Sequence, residues 1–259
     1  MKKIVLLLII SLLSINIFAK CNIIVTTKIL KEAVEDIAGD KANVSTLMAV
    51  SSCPGHIDLS PSDIKRIQNA DFCFYHGFEP VKNLTKGKIF MICDCKNMLI
   101  PKYYIQGLNE IYNFMVLYDK SNADYYKSNL KESTDKALKL DQEIQKLAKP
   151  LKDKKVICSV NNKSLLIYFG FDVVASYPIP NNITPKTWDS IYKRVKGQKI
   201  DFCIDNLQSG QNTSLQLARD INAKHFYTSN FPGNFWNLNS NTVEKCLRND
   251  LDMCLRNLK

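Results

Sequence analysis

Side chains that bind metals are the clearest chemical feature of this sequence. The chain holds nine cysteines and three histidines, and Cys53 precedes His56 by three positions. A Cys-x-x-His spacing lets one loop supply two metal ligands, and thiolates favour soft ions, Cu(I) above all, as well as Zn(II). The same residue types also occur as structural disulfides or as buried thiols. The sequence therefore predicts either a soft metal site or a set of structural cysteines.

Residue patterns typical of enzymes are absent from the sequence. It contains no Gly-x-Ser-x-Gly, no His-Glu-x-x-His and no glycine loop of the phosphate-binding type. Cys93-Asp94-Cys95 would be a redox pair, but it lacks the Cys-x-x-Cys spacing of thioredoxin-like proteins. We therefore expect a binding protein and not an enzyme.

The first nineteen residues predict export. A basic start (Lys2 and Lys3), an apolar core and a small-residue cleavage site ending at Ala19 are typical of a secretory signal peptide over residues 1–19. The mature chain is then periplasmic, an oxidising compartment in which disulfides persist. Cys21 offers a second interpretation, as the lipid-bearing cysteine of a lipoprotein, although Lys20 before it fits that recognition poorly.

The basic character of the chain does not indicate a nucleic-acid partner. The formal net charge is +10, but the lysines and arginines are scattered among aspartates and glutamates and form no basic arm. Clustered basic residues are what a nucleic-acid surface requires. We expect a solvated basic surface and no nucleic acid among the partners.

Strand patterns alternate with helix patterns along the mature chain. This alternation is typical of α/β folds with parallel sheets and helices on both faces. The expected strands cover residues 22–27, 44–49, 72–75, 88–92, 155–160, 173–177, 200–204 and 224–227. The expected helices cover residues 29–38, 61–70, 101–117, 163–169, 184–195, 214–223 and 242–258.

One longer helix interrupts the alternation. Residues 121–148 contain neither glycine nor proline and carry apolar residues at helical spacing, and Pro150 ends the pattern. At 1.5 Å per residue this helix is about 42 Å long. The sequence thus predicts an N-terminal α/β lobe (20–118), a linking helix (119–150) and a C-terminal α/β lobe (151–259).

The region around His56 resembles a known family. The segment Cys53-Pro54-Gly55-His56-Ile57-Asp58-Leu59-Ser60-Pro61-Ser62-Asp63-Ile64, with residues 65–71 after it, is similar to the ligand loop and following helix of zinc and manganese substrate-binding proteins of ABC transporters. The resemblance implies two Rossmann-like lobes with parallel sheets, joined by one long backbone helix. It also implies a monomer that binds a metal ion between its lobes and delivers it to a membrane permease.

The other ligand positions of that family are occupied here by different residue types. The resemblance places Lys96 at the second ligand position, Val160 or Asn161 at the third and Asn230 at the fourth. Zinc sites use histidine, thiolate and carboxylate, and manganese sites are rich in oxygen ligands. We therefore expect the usual histidine-rich cage to be absent.

Cysteines are the candidates to replace that cage. According to the resemblance, Cys53, Cys95 and Cys158 map near the same cleft as His56, and Asn230 remains a candidate ligand opposite them. Such a site would hold a transition-metal ion: zinc is implied by the family, and copper or manganese are the other choices. The competing interpretation is a disulfide between Cys53 and Cys95, with Cys158 as a small buried apolar side chain.

Five further residues are candidates for lining the cleft. They are Lys96, His76, Asn161, Tyr227 and Phe231. His76 is at a family position that faces the cleft, although an exposed loop residue is the alternative. The two aromatic residues either line a pocket for an organic ligand or pack under the last helix.

One disulfide is implied by the resemblance. Cys203 and Cys254 match the pair that braces the second lobe in some zinc importers. Cys246 is the competing partner, since it precedes Cys254 on the same predicted helix.

We therefore predict an extracytoplasmic solute-binding protein that delivers a transition-metal ion to an ABC permease. The alternative is a divergent protein of this kind that has lost the metal site and binds an organic ligand, a metal chelate or a protein partner.

Overall fold

The computed structural model describes most of the chain. The described residues are 20–47, 59–82, 84, 88–235 and 238–258. The predicted signal peptide, Cys53 and His56 lie outside them. Among the described residues, no helix combines the length and the apolar character needed to span a bilayer.

The first lobe is built on a four-stranded parallel sheet. Its strands are β1 (Cys21–Val25), β2 (Ala42–Thr46), β3 (Phe72–Tyr75) and β4 (Ile89–Met91), in the order β2-β1-β3-β4. Its helices are α1 (Lys28–Ala38), α2 (Pro61–Asn69) and α3 (Pro101–Tyr118). These elements overlap the predicted ones, but β2 begins two residues before its predicted start and ends at Thr46.

Local signals fix where the first two helices begin and end. The Thr27 hydroxyl accepts a hydrogen bond from the Leu30 amide and caps α1, and Gly39 ends that helix with a φ of 52°. Ser60 and Asp63 form a reciprocal capping box at the start of α2. Each contact satisfies a helix-end group that has no partner within the helix.

A single long helix, α4 (Ala123–Ala148), follows the first lobe. Its 26 residues span about 39 Å at 1.5 Å per residue. Its buried residues recur at alternating spacings of seven and four, which is one face of a helix. They are Tyr126, Ser133, Ala137, Ile144 and Ala148. The linking helix predicted from the sequence is therefore present.

The second lobe repeats the architecture of the first. Its strands are β5 (Lys155–Ser159), β6 (Asp172–Tyr177), β7 (Phe202–Asn206) and β8 (Lys224–Thr228), parallel and in the order β6-β5-β7-β8. Its helices are α5 (Lys163–Tyr168), α6 (Pro185–Val195), α7 (Leu215–Asp220) and α8 (Val243–Arg256). A short hairpin of β9 (Gly233–Phe235) and β10 (Leu238–Ser240) was not predicted. The fold class is confirmed as α/β with two lobes and parallel sheets.

Helix α4 contacts both lobes. Asn129 Nδ2 donates to the carbonyl of Ile37 on α1 at 2.9 Å, and Gln145 Nε2 donates to the carbonyl of Tyr168 on α5 at 2.9 Å. The lobes are also packed against each other, because the inner faces of both sheets share one continuous apolar core with α4. Helix α4 and the shared core therefore hold the lobes on either side of the cleft in a fixed position.

Candidate ligand-binding cleft

A cavity of about 430 Å³ lies between the two lobes. The residues that line it follow the carboxyl ends of parallel strands, where α/β proteins generally bind ligands. The first lobe supplies Ile29, His76, Phe78, Cys95, Lys96, Asn97 and Met98, and the second lobe supplies Val160, Asn161, Ser164, Ile179, Asn206, Gln208, Ser209, Asn230 and Phe231. The predicted cleft is thus present, and residues from both lobes reach it.

His76 is a buried wall residue of the cleft and is only 1% exposed. Its Nε2 lies 2.9 Å from the Thr27 hydroxyl, while its Nδ1 is buried and has no hydrogen-bond partner among the described residues. Burial lowers the pKa of His76 to about 3, so the ring is neutral at neutral pH. The ring stacks on Phe78 at 5.4 Å, and Phe231 lies 6.4 Å away. The alternative of an exposed loop residue is wrong.

Glu79 fixes the backbone that carries His76. Its Oε2 accepts hydrogen bonds from the backbone amides of His76 (2.9 Å) and Gly77 (3.1 Å), and its Oε1 accepts one from the Thr26 hydroxyl. Burial raises the pKa of the Glu79 carboxyl. The carboxylate is occupied by these donors and does not face the cavity as a ligand.

The loop after β4 has an unusual backbone. Cys93, Asp94 and Cys95 have φ values of 57°, 24° and 57°, a region that side chains other than glycine rarely adopt. The Cys95 amide donates to the carbonyl of His76 at 2.6 Å, and the Cys93 amide donates to Glu110 at 2.8 Å. These bonds hold the loop against the end of β3. Cys95 is exposed and lines the cavity, as predicted.

Lys96 points away from a metal-ligand position. Its Nζ donates to Gln106 Oε1 at 3.1 Å and lies 5.5 Å from the centre of the Tyr103 ring, both on α3. The Lys96 side chain lines the cavity, but its ammonium group is bound by the Gln106 and Tyr103 side chains of α3. Lysine at this position therefore provides a positive charge near the cleft entrance.

Amide side chains connect the two lobes across the cleft floor. Asn97 Nδ2 donates to Asn230 Oδ1 at 3.0 Å, and Asn230 Nδ2 donates to the Asn161 carbonyl at 2.8 Å. Asn206 Nδ2 and Asn230 Nδ2 both donate to Asn162 Oδ1. We call these five asparagines the amide network. Sequence reasoning identified Asn161 and Asn230 but missed Asn97, Asn162 and Asn206, because single asparagines carry no spacing signal.

A buried polar cluster supports the second-lobe side of the cleft. Asp205, at the end of β7, accepts hydrogen bonds from the hydroxyls of Tyr177 and Ser214, and His225 Nε2 lies 2.7 Å from its Oδ2. Asp205 is fully buried. His225 thus has the structural role that is usual for a histidine inside a strand.

Two predicted side chains lie away from the cleft. Cys158 is fully buried within β5 and packs in the shared core, and burial raises the pKa of its thiol to about 12. It does not line the cavity, because the pleat of β5 turns its side chain inward. Tyr227 is within β8, before the carboxyl end, and does not line the cavity either. Among the described residues, no three His, Cys, Asp or Glu side chains converge to hold a metal ion.

The implied disulfide between Cys203 and Cys254 is not formed. Both are buried free thiols, and they belong to different apolar clusters. Cys203 points to the face of the second sheet that α6 covers, whereas Cys254 on α8 packs with Phe202 and Ile204 on the opposite face. The sheet itself separates them. Cys246 is also a buried free thiol.

Comparison with known proteins identifies relatives of the whole fold. A sequence model of the family described as zinc-uptake complex component A, periplasmic (ZnuA), matches residues 23–92 and 98–235. The metal ABC transporter substrate-binding lipoprotein FimA of Streptococcus parasanguinis is 24% identical over 245 residues, with 78% of this chain and 77% of that protein covered. The manganese ABC transporter substrate-binding lipoprotein PsaA of Streptococcus pneumoniae is 25% identical over 255 residues, with 82% and 78% covered.

Solved structures show the same fold. A Mn-bound periplasmic metal binding protein from Candidatus Liberibacter asiaticus superposes with a TM-score of 0.79 at 19% identity, with 93% of this chain and 100% of that chain covered. A crystal structure of ZnuA superposes with a TM-score of 0.73 at 17% identity and the same coverage. Residues 93–97, which include Cys95 and Asn97, lie between the two ranges that the family model matches.

Proposed function

Because the chain belongs to the ZnuA family of periplasmic zinc-uptake components, we propose that it is an extracytoplasmic solute-binding protein that delivers a transition-metal ion to the permease of an ABC transporter. The observation that carries this proposal is the cleft, which both lobes line at the carboxyl ends of their parallel strands. A family of transport components implies binding and release, and we expect no catalytic activity.

The ion is proposed to bind at the first-lobe side of the cleft. His56 is the proposed principal ligand, with Cys53 on the same loop and Cys95 on the loop after β4. Asn230 is the proposed ligand from the second lobe, and its amide oxygen is a weaker ligand than a carboxylate. Zinc is the first choice because of the family, and manganese or copper are the others. Cys158 is not among the proposed metal ligands, because its side chain is buried in the core.

Capture by such a cleft requires little rearrangement. Helix α4 and the shared core hold the lobes in place. Ligands that are already positioned lose little conformational entropy on binding. We propose that the lobes divide at residues 118 and 151, and that a monomer docks on its permease through the surfaces beside the cleft.

Cleavage after Ala19 is the proposed route of export. Cys21 begins β1 and its side chain is buried in the shared core, where Tyr118 hydrogen-bonds to it. A lipid on its sulfur would have to remove this side chain from the core. We therefore propose a periplasmic protein in which Cys21 keeps a free thiol.

Metal analysis of the protein purified from the periplasm tests the function. We expect one transition-metal ion per chain, and its loss in the His56→Ala, Cys95→Ser double variant. Cys73→Ala is the matched control, because Cys73 is buried in a separate apolar cluster of the first lobe and should leave the metal content unchanged. Full metal content in the double variant would refute the proposed ligands, and metal-free protein under metal-replete growth would refute the function.

A second candidate function is supported by the composition of the cleft. Its described lining contains amides, hydroxyls and the stacked rings of His76 and Phe78, and no carboxylate. A volume of about 430 Å³ also exceeds what a single ion fills. An organic ligand or a metal chelate would suit these walls. Native mass spectrometry that finds metal-free protein with a bound organic mass would favour this function over the first.

A further inference from the structure

Two sulfur atoms and a carboxylate oxygen surround the bare α-carbon of Gly77. A Cβ built on this glycine would lie 2.8 Å from Met91 Sδ, 3.0 Å from Cys95 Sγ and 3.5 Å from Asp94 Oδ1. Three possible metal ligands therefore approach one point in space, which only glycine leaves open. Thioether and thiolate sulfur are the ligands that Cu(I) prefers in proteins.

The two sulfur-bearing side chains are accessible from solvent. Met91 is 46% exposed, although burial of a large apolar side chain stabilises a protein. Cys95 is the single exposed thiol among the cysteines of the described residues. Cys93 has the opposite environment: its thiol is buried and donates to the carbonyl of Tyr103 at 3.0 Å. An incoming ion therefore meets Cys95 and Met91 and does not meet Cys93.

The neighbouring wall of the cleft carries a ring nitrogen that is available as a metal ligand. His76 precedes Gly77, lines the same cavity as Cys95, and carries a buried Nδ1 that no side chain in the described part of the chain contacts by a hydrogen bond. The Thr27 hydroxyl fixes its other ring nitrogen at 2.9 Å. A neutral imidazole with one nitrogen fixed in this way resembles the histidines that bind metals. Cys95 thus lies beside a cavity wall that is also suited to a soft ion, and Met91 lies on the solvent side of Gly77.

We propose that Cys95 Sγ and Met91 Sδ form a binding site for a soft monovalent metal ion, Cu(I), at the first-lobe rim of the cleft, with the Asp94 carboxylate beside it. Binding replaces the thiol proton, which leaves to solvent, and the ion keeps its oxidation state. The Met91 thioether is needed as a ligand, because the described His, Cys, Asp and Glu side chains of this region do not form a metal site by themselves. The inference rests on the proposed function in two respects: the same cleft receives the ion, and Cys95 is a proposed ligand in both.

Competition titration of the exported protein with Cu(I) tests the site, using a chromophoric Cu(I) chelator and Ag(I) as a redox-inert probe. We expect Cys95→Ser and Met91→Leu each to weaken Cu(I) binding by about 10-fold or more, the range typical of a lost contact at a metal site. Cys93→Ala and Met253→Leu are the matched controls and should bind Cu(I) as the unmodified protein does. Unchanged Cu(I) affinity in both Cys95→Ser and Met91→Leu would overturn the proposal.

Gly77→Ala provides a test that removes no ligand. The new Cβ would lie within 3.0 Å of both sulfurs, so we expect Cu(I) binding to weaken. Gly197→Ala is its control, because Gly197 also has a positive φ (75°) but nothing lies within 4 Å of its Cβ position. Near-UV circular dichroism checks that both variants are folded. Zinc content of the unmodified protein, measured in parallel, separates the two proposals: an unmodified protein that binds zinc and does not bind Cu(I) refutes this site and leaves the transport function intact.

Discussion

Asn230 determines much of the chemistry at the cleft floor. Its amide accepts a hydrogen bond from Asn97 of the first lobe and donates to Asn161 and Asn162 of the second lobe. An amide is suited to this position because it donates and accepts at once. Asn230 thus joins the lobes directly, without a bound ion.

Asn230→Asp separates this joining role from metal binding. The new carboxylate would face two oxygen atoms that now accept hydrogen bonds, so we expect the free energy of unfolding to fall by about 1–3 kcal/mol. The carboxylate is also a better ligand for divalent ions, and we expect added Mn²⁺ or Zn²⁺ to raise the melting temperature more than in the unmodified protein. Differential scanning calorimetry with and without metal measures both effects.

Asn109→Asp is the control for this substitution, because Asn109 is exposed on α3 and bonds only within its own helix. It should change stability by less than about 0.5 kcal/mol. An Asn230→Asp protein as stable as the Asn109→Asp protein would contradict the joining role.

Cysteines 203 and 254 are predicted to be free thiols in the exported protein. They lie on opposite faces of the second sheet, so a disulfide between them would require the sheet to open. Unfolding in denaturant with an alkylating agent, followed by peptide mass mapping, should find both residues alkylated. A peptide pair linked through Cys203 and Cys254 would show that this prediction is wrong.

The N-termini of α1 and α8 carry contacts that position the cleft wall and join the two lobes. The Thr27 hydroxyl caps α1 and also holds the ring of His76, so one side chain fixes both the helix and the cleft wall. On the other side of α1, Glu32 Oε2 accepts a hydrogen bond from the Val243 amide at the first turn of α8, 2.8 Å away. An acidic group at a helix N-terminus is favourable. Glu32 therefore links the first lobe to the second.

Glu32 should make stability depend on pH. Burial is the main reason why its pKa is raised to about 7, and nearby Asp36 and Glu35 add to this effect. The folded state then binds a proton more tightly than the unfolded state, whose pKa is 4.5. The stabilisation is complete below pH 4.5 and is lost as the pH rises through about 7. We expect the melting temperature of Glu32→Gln to fall less over this pH range than that of the unmodified protein.

Glu35→Gln is the matched control for Glu32→Gln. Glu35 is on the same helix, and its half-exposed carboxylate pairs with Lys31. Its substitution should change the slope of melting temperature against pH much less than Glu32→Gln does, because Glu35 is only a minor cause of the raised pKa of Glu32. Equal slopes for Glu32→Gln and the unmodified protein would contradict the role assigned to Glu32.

The relative position of the two lobes is fixed by contacts that need no ligand. The Asn97–Asn230 bond crosses the cleft, Glu32 reaches α8, and Arg248 on α8 pairs with Glu143 on α4 at 2.6 Å. The shared core lies behind all three. Metal binding therefore meets lobes whose relative position is already fixed.

Small-angle scattering tests this rigidity. We expect the radius of gyration of the metal-free protein to equal that of the metal-loaded protein within error, because closing a hinge would require the shared core to separate. The Asn97→Ala, Asn230→Ala double variant should show the same value if the core is the main restraint. A clear decrease in radius on metal addition to the unmodified protein would show that the lobes move.

The sequence by itself determined the helices, the eight parallel strands and the two-lobed architecture of this protein, but not the short hairpin of β9 and β10. Caps such as Ser60, the stop at Gly39 and the glycine-free stretch of α4 act locally, so their effect can be recognised from neighbouring residues. In the same way, the sequence shows that Lys96 and Asn230 occupy two ligand positions of the family at which neither histidine nor carboxylate is present. These features depend on the types and order of residues along the chain.

Only the tertiary structure decided which side chains meet. The pleat of β5 turns Cys158 into the core, and the second sheet separates Cys203 from Cys254. The left-handed backbone after β4 brings Cys95 to Met91, and Asn97 reaches Asn230 across 133 positions of sequence. The strand pleat makes neighbouring side chains alternate between two faces. Which of those faces is buried, and which distant segments meet, depends on tertiary packing that the order of the residues does not show.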